Sequence, residues 1–136
     1  MKYVSVYLVA AVVFLTIDAL WLGYIARDFY KERLGELLLA RPRFGVAAGF
    51  YAIYVVGLVY FAIAPGLAAG SFWLAVLNAG FFGALCYTTY DATNLATMRG
   101  FDTTVAVVDI AWGTVLSAFT AGVAYLVARS LSLWQG

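Results

Sequence analysis

The amino-acid sequence predicts an all-α integral membrane protein: a bundle of four transmembrane helices, with a short amphipathic interfacial helix between helices 1 and 2. Three observations lead to this prediction. Of the 136 residues, 65% are hydrophobic and 11% are charged, and the apolar residues fall into four long runs. A typical soluble domain has about 25% charged residues, and so short a soluble chain leaves much of its surface in water. Lipid is the solvent that suits this composition.

The four apolar runs define the predicted spans, which cover residues 3–26, 44–64, 72–93 and 103–128 of a single domain formed by residues 1–136. Each run provides the ~20 residues that a helix needs to cross the hydrocarbon. Open strands are excluded because their unpaired backbone groups are too costly in lipid. The second run stops at Pro65, so we expect its helix to end there.

The segment between the first two spans predicts a short helix at the membrane surface. Residues 28–40 place their apolar side chains on one side and their charged side chains mostly elsewhere, the apolar set being Phe29, Tyr30, Leu34, Leu37 and Leu38. This pattern is typical of a helix that lies in the headgroup region. Its basic residues favour a surface anchor for anionic lipid, and a funnel for a specific headgroup or substrate is the alternative.

The basic residues are divided unequally between the two faces of the predicted bundle. The loops that follow spans one and three carry six, Arg27, Lys31, Arg33, Arg41, Arg43 and Arg99, and the other face carries Lys2 and Arg129. By the positive-inside rule, the six face the cytoplasm and both termini lie on the non-cytoplasmic side.

Composition also restricts the chemistry that is open to the chain. The sequence contains no histidine, and Cys86 is its single cysteine. A histidine-held haem, the usual histidine-containing zinc sites and a histidine general base are therefore excluded, as is an internal disulfide. The net charge of +1 gives no field that would attract nucleic acid. We predict no cofactor, no metal site and no nucleic-acid partner.

Three acidic residues lie within the predicted spans: Asp18, Asp91 and Asp109. An acid inside a membrane is costly, so each one is a functional hypothesis. With the orientation given above, all three fall in the cytoplasmic half of the bundle. Their convergence on one level indicates a site that binds a ligand or carries a proton.

Two of these acids share a local pattern with their neighbours. Asp18 and Trp21, like Asp109 and Trp112, form the pattern D-x-x-W, and a glycine follows each pair closely. A spacing of three puts acid and indole on one helical face, where the indole N–H can donate to a carboxylate and its ring can shield it from lipid. The pattern is consistent with an internal repeat. The structural alternative for both tryptophans is the aromatic belt at the membrane interface.

Span three concentrates polar groups around Asp91. Asp91 and Asn94 share a helical face, and Tyr87 and Arg99 lie nearby. Arg99 would make Asp91 a structural brace by neutralising it, whereas an unpaired Asp91 would be able to carry a proton. Hydrogen bonding between helices, typically worth ~1 kcal/mol or less per contact, is the structural alternative. The predicted ligand-binding or proton-carrying site comprises Asp18, Trp21, Tyr87, Asp91, Asn94, Arg99, Asp109 and Trp112.

Other polar and small residues have structural interpretations. Asp102 precedes Thr103 and Thr104, so it is placed to cap the helix of span four. Gly45 and Gly49 form a GxxxG pair at the start of span two, which predicts close packing against another helix. Asn78 is expected to bridge two helices.

Three segments resemble an uncharacterised bacterial membrane family, domain of unknown function 2177. They are Asp18-Ala-Leu-Trp-Leu-Gly, the segment from Tyr90-Asp91 to Arg99-Gly100, and Asp109-Ile-Ala-Trp112-Gly113. The resemblance covers nearly the whole chain and is most specific in span three. It implies a compact four-helix protein of the bacterial inner membrane and implies no particular activity.

The sequence leaves two functions open. The first is binding or transport of a small lipophilic or cationic ligand by the acidic and aromatic residues. The alternative is a structural or accessory subunit of a larger membrane complex. An enzyme of lipid phosphoryl chemistry is a third class, but the chain has neither the aspartate-rich spacing of such enzymes nor a glycine-rich phosphate loop. We therefore predict no catalytic residues. The predicted partners are the lipid bilayer, a small ligand, and further copies of the chain or a larger complex.

Overall fold

The computed structural model describes residues 1–35 and 43–134, and within them the protein consists of helices joined by short turns, without a strand. In chain order the helices are α1 (Lys2–Leu20), α2 (Arg27–Leu34), α3 (Phe44–Leu58), α4 (Ala64–Ala69), α5 (Phe72–Thr97) and α6 (Thr103–Ser130). A π-helical turn, Trp21–Ile25, extends α1, and a second, Val59–Ile63, joins α3 to α4.

Within the described residues, four helical stretches are long and apolar enough to cross a membrane: Lys2–Ile25, Gly45–Ala69, Phe72–Thr97 and Thr103–Ser130. We refer to them as spans one to four. Their lengths of 24 to 28 residues exceed the ~20 residues that the hydrocarbon requires. The predicted fold class, a bundle of four membrane-spanning helices, is confirmed.

The predicted short helix between spans one and two is α2. It begins after Ala26, whose φ of −108° and ψ of 8° interrupt the helical path of span one. It ends before Gly35, which has a φ of +33°. None of its residues is buried, so little apolar packing holds it in place. Residues 36–40 of the predicted helix lie outside the described residues.

Small residues allow the spans to approach one another closely. Span four packs most extensively against span three and also against span one, and span two contacts spans one and three. Seven alanines of the described core have no exposed surface: Ala10, Ala62, Ala75, Ala79, Ala121, Ala124 and Ala128. Lipid gives no hydrophobic force between helices, so van der Waals contact between close backbones has to hold them together. Phe14, Leu58, Ile63 and Leu116 fill the centre of the bundle.

The predicted end of span two at Pro65 is wrong, because the helix continues to Ala69. A proline inside a helix lacks the N–H that would donate to the carbonyl four residues earlier, which here belongs to Phe61. The side-chain amide of Asn78, on span three, donates to that carbonyl at 3.2 Å. In a membrane, neighbouring helices can re-satisfy backbone groups that proline frees. Asn78 thereby allows span two to continue past Pro65.

We expect Asn78→Leu to destabilise the protein by about 1 kcal/mol, because it leaves the Phe61 carbonyl unpaired at nearly constant side-chain volume. The measurement is unfolding in mixed detergent micelles. A double variant provides the control, since Pro65→Ala restores a backbone N–H near this carbonyl. In the Pro65→Ala background the cost of Asn78→Leu should shrink. An equal cost in both backgrounds would contradict the link between the two residues.

Gly45 and Gly49 do not pack against another helix in the part of the chain that the structure describes, contrary to the expectation from their spacing. A Cβ atom added at either position would meet nothing within 4 Å. The physical reason is the register of span two, which reaches span three chiefly through its second half, Val59–Ile63 and Ala64–Ala69. The GxxxG pair lies in the first half and is exposed.

Candidate functional site

Asp18, Asp91 and Asp109 lie at the same end of the bundle, which we call the acidic end. Asp18 is near the end of span one, Asp91 is near the end of span three, and Asp109 is near the start of span four. Asp18 is 5% exposed and Asp91 is 1% exposed, whereas Asp109 is half-buried. The three carboxyl groups differ in their hydrogen-bond partners, and this difference separates their roles.

Both carboxyl oxygens of Asp18 have donors from other spans. The Tyr51 hydroxyl of span two donates to Oδ2 at 2.6 Å, and the Trp112 indole N–H of span four donates to Oδ1 at 3.1 Å. Such a short hydroxyl-to-carboxyl distance is typical of charge-assisted hydrogen bonds. Asp18 is thus a fully paired acid that ties three spans together.

The hydrogen-bond donor to Asp109 comes from α2, which is not one of the four spans. The Tyr30 hydroxyl of α2 donates to Asp109 Oδ1 at 3.0 Å, and the Trp21 indole N–H donates to the Tyr30 oxygen at 3.2 Å. Partial burial of the phenol, together with the nearby Asp109, raises the pKa of Tyr30 above its usual value. Tyr30 therefore keeps its proton at physiological pH and remains a donor to Asp109.

The tryptophan of each D-x-x-W pattern interacts with the aspartate of the other pattern and not with its own. Trp112 donates to Asp18 of the other pattern, and Trp21 reaches Asp109 through Tyr30. Because spans one and four are antiparallel, the acid of one pattern lies level with the indole of the other. The two indole rings stack with centroids 4.2 Å apart and planes 9° apart. The two half-buried indoles therefore make specific contacts between spans one and four.

Asp91 differs from the other two acids because neither of its oxygens has a hydrogen-bond partner among the described residues. Its carboxyl interacts electrostatically with that of Asp109, across the extensive contact between spans three and four. A buried polar group without a partner is costly, and a buried unpaired charge is costlier still. The pair is stabilised if a proton or a cation is bound there.

The structure does not bring Arg99 to Asp91. Arg99 is exposed in the turn after α5, before Gly100 with its φ of +82°. The ion pair found within the described part of the chain joins Arg33 to Asp102 instead, at 3.4 Å. Asp91 is therefore unpaired rather than neutralised by this arginine.

Two further predicted residues of span three lie beside the acids. The Tyr87 ring packs directly on Gly113, where a side chain would overlap it, and lies within electrostatic range of Asp18 and Asp109. Asn94 is half-buried, one helical turn beyond Asp91. The absence of a side chain at Gly113 is what lets the Tyr87 ring enter between spans three and four.

Tyr30 and Tyr51 are members of the site that the sequence did not predict. We define the acid–aromatic cluster as the hydrogen-bonded and stacked set of Asp18, Trp21, Tyr30, Tyr51, Asp109 and Trp112. Tyr30 was assigned to the apolar side of the interfacial helix. For Tyr51, a usable signal is its spacing of three from Tyr54, which puts two hydroxyl-bearing rings on one face of span two.

Asp102 lies at the edge of the acidic end and has two roles. Its carboxylate accepts from the Val105 backbone N–H at 3.0 Å, which confirms the predicted cap of span four, and it pairs with Arg33 of α2. The Val105 N–H and the Arg33 guanidinium lower the pKa of Asp102. Both interactions are therefore complete near neutral pH and are lost only as pH falls through this lowered pKa.

Among the described residues, no group of three or more His, Cys, Asp or Glu side chains could hold a metal ion. An apolar groove of about 420 Å³ lies between spans one and two, away from the acidic end, lined by Tyr3, Val4, Tyr7, Val56, Val59 and Tyr60.

We expect Asp18→Ala to destabilise the protein by about 1–3 kcal/mol, since it leaves the Tyr51 hydroxyl and the Trp112 N–H without an acceptor. Asp18→Asn is the matched control, because its carbonyl oxygen still accepts one of these bonds at the same volume. Unfolding in mixed micelles should rank wild type above Asp18→Asn and Asp18→Asn above Asp18→Ala. Equal stability of all three would rule out the bracing role.

Comparisons with known proteins identify a family but no described relative. No curated protein and no solved structure matches the chain. The model of one family, described as "Predicted membrane protein (DUF2177)", matches residues 3–126. This match includes all four spans except Lys2 and the last turn of span four, and it includes all three intramembrane acids. The chain belongs to the DUF2177 family of membrane proteins.

Proposed function

We propose that this membrane protein binds a small cationic ligand at Asp91 and Asp109, and that the ligand competes with a proton for the same site. The remaining predicted residues except Arg99, which lies exposed in the turn after α5, would form the walls and the electrostatic surroundings of the site: Asp18, Trp21, Tyr87, Asn94 and Trp112. Competition between a cation and a proton at one buried site is also the elementary requirement for exchange transport across a membrane.

The observation that carries the proposal is the state of Asp91. Its side chain is 1% exposed, both of its oxygens are unpartnered in the described structure, and its ionisable neighbour is a second carboxyl group, Asp109. An arrangement that served only to brace helices would supply donors to Asp91, as it does to Asp18. Two adjacent carboxyl groups without a basic partner instead favour the binding of a proton or a cation.

The surroundings of the pair suit a cation. The Tyr30 hydroxyl occupies Oδ1 of Asp109, and no hydrogen bond of the described residues occupies Oδ2. Both oxygens of Asp18 already accept hydrogen bonds from Tyr51 and Trp112, so Asp18 is not a ligand itself. The faces of Trp21 and Trp112 add the quadrupole that attracts cations to aromatic rings.

The test is proton release in a weakly buffered detergent solution near neutral pH. Na⁺, tetramethylammonium and tetraphenylphosphonium serve as probes of increasing size and apolar character. If a probe displaces the shared proton, the solution acidifies by about one proton per chain, because a coupled carboxyl pair releases a single proton in this step. If none of the probes changes the pH or binds by calorimetry, the proposal fails for these ligands.

We further propose an inner-membrane location with the acidic end toward the cytoplasm and both termini on the other side. The support is the excess of basic residues next to that end, where Arg27, Lys31, Arg33 and Arg43 are all exposed. In this orientation the cation would enter or leave the acidic site from the cytoplasmic side.

A structural subunit of a larger membrane complex is the second candidate. The observation that favours it is the open face at Gly45 and Gly49, where no atom of another described residue lies within 4 Å of an added Cβ. Exposed small residues of this spacing can admit a partner helix. Native mass spectrometry after extraction at natural expression levels separates the candidates. A stoichiometric larger partner supports the subunit role, whereas an isolated chain or a homo-oligomer opposes it.

A further inference from the structure

We infer that α2 is a lid that closes the acidic end, and that it must swing away before a cation can exchange at Asp91 and Asp109. The inference rests on the proposed function and concerns the regulation of that site. The first observation is that the Asp91 side chain is only 1% exposed. A ligand can reach this carboxyl only if some element of the protein moves.

The four spans are poorly suited to be that element. They meet through buried apolar and small residues along their lengths, and span four alone buries Val105, Ala106, Leu116, Ala121 and Ala124. Separating them would expose closely packed surfaces. By contrast, α2 has no buried residue and makes its main contact with the π-helical turn that precedes it. Segments with few buried contacts are the ones that open most readily.

Three polar contacts hold α2 over the acids. The Tyr30 hydroxyl donates to Asp109 at 3.0 Å and accepts from the Trp21 N–H at 3.2 Å. At the other end of α2, Arg33 pairs with Asp102 at 3.4 Å, and both side chains are partly exposed. Exposed ion pairs contribute little to stability, so opening has a small energetic cost. Ala26, where the helical path is interrupted, provides a hinge.

The lid places Tyr30 in direct competition with a ligand. While α2 is closed, the Tyr30 hydroxyl fills a hydrogen-bonding position on Asp109 from the side of α2. Opening removes that donor and uncovers the carboxyl pair in the same movement. Tyr30 is therefore a positioning residue that links the state of α2 to the availability of the acids.

Carbodiimide labelling measures this access directly. A water-soluble carbodiimide with an amine nucleophile is added to the full-length protein in detergent, and the labelling rate of each Asp is followed by peptide mass spectrometry. Tyr30→Phe removes one hydroxyl and should speed labelling of Asp91 and Asp109 by roughly fivefold to tenfold. Tyr24→Phe, the same change at an exposed tyrosine, is the matched control and should leave the rates unchanged.

A closed lid can also be enforced. In a Cys86→Ser background, Arg33→Cys and Asp102→Cys are joined by a short bismaleimide, which should suppress labelling of Asp91 and Asp109 while the exposed Asp28 still reacts. The inference is overturned if Asp91 and Asp109 label equally fast in the linked, unlinked and Tyr30→Phe proteins. Proton release by cations is measured separately, so a failed lid leaves the proposed binding site intact, whereas absent proton release removes the site itself.

Discussion

Asp91→Asn is expected to abolish proton release by added cations while leaving the fold in place. Asparagine has nearly the same shape as aspartic acid but can neither bind the exchangeable proton nor supply the charge. Removing one partner from a buried pair of charges costs about 3–5 kcal/mol, which corresponds to a loss of cation affinity of more than about a hundredfold. Asp91 has no donor from another described residue except the proton that it would share with Asp109, and the asparagine amide can replace that hydrogen bond.

The control for Asp91→Asn is Asp28→Asn. Asp28 is an exposed carboxylate of α2 and its neutralisation removes the same unit of charge from the protein. Asp28→Asn should retain proton release and cation affinity. If both variants behave like wild type, Asp91 has no part in binding. If Asp91→Asn instead unfolds the protein, Asp91 is a structural brace and the proposed function loses its main support.

Gly83→Ala is expected to destabilise the bundle by about 1–3 kcal/mol, the usual range for overpacking a close contact. The added Cβ would lie 2.5 Å from the Ser117 Oγ and 2.6 Å from the backbone oxygen of Gly113. Ser117 is not free to rotate away, because its hydroxyl shares a 2.6 Å hydrogen bond with Tyr54. The backbone oxygen cannot move without shifting span four, so spans three and four would have to separate.

Gly80→Ala is the matched control on the same helix. Its added Cβ would be 3.7 Å from Ala118 and 3.9 Å from Thr114, which are ordinary contacts. Alanine favours a helix over glycine by up to ~1 kcal/mol, so Gly80→Ala should be neutral or stabilising. Unfolding in mixed micelles gives both free energies, and equal effects of the two substitutions would contradict the described packing of spans three and four.

The sequence is sufficient to predict the fold because each helix that crosses the lipid needs about 20 mostly apolar residues. Four apolar runs predict four spans, and the observed spans begin and end within about four residues of the prediction, except at the end of span two. Span two passes Pro65 because Asn78 of span three pairs with the Phe61 carbonyl. A sequence pattern within one span cannot reveal such compensation from its neighbour.

The acids and tryptophans of the candidate site could be predicted from the sequence, but the hydrogen bonds between them could not. Asp18, Asp91 and Asp109 stand out in the sequence because a carboxyl group is costly to place in lipid. The antiparallel order of the spans places them at one end of the bundle. The pairing of Trp112 with Asp18 depends on which spans are neighbours and on their relative register. The spacing of Tyr51 from Tyr54 indicates a shared face of span two, but it does not reveal that this face meets Asp18.

Arg99 illustrates the same limit for charges. Its position next to span three suggested a partner for Asp91, but α5 ends at Thr97 and the following turn leaves Arg99 exposed. A shift of two residues in the end of a helix decides whether a neighbouring charge reaches the interior. Such ends are fixed by local turn geometry, here by Gly100 at a φ of +82°.

Infrared spectroscopy of the purified protein tests the central claim, that Asp91 and Asp109 hold a proton which a cation displaces. At neutral pH the wild-type protein should show the carbonyl stretch of a buried protonated carboxyl group. This band should disappear when a cation that binds the protein is added, and it should be missing in Asp91→Asn. Identical spectra for wild type and Asp91→Asn, with or without a cation, would contradict the account, since the pair would then hold no exchangeable proton.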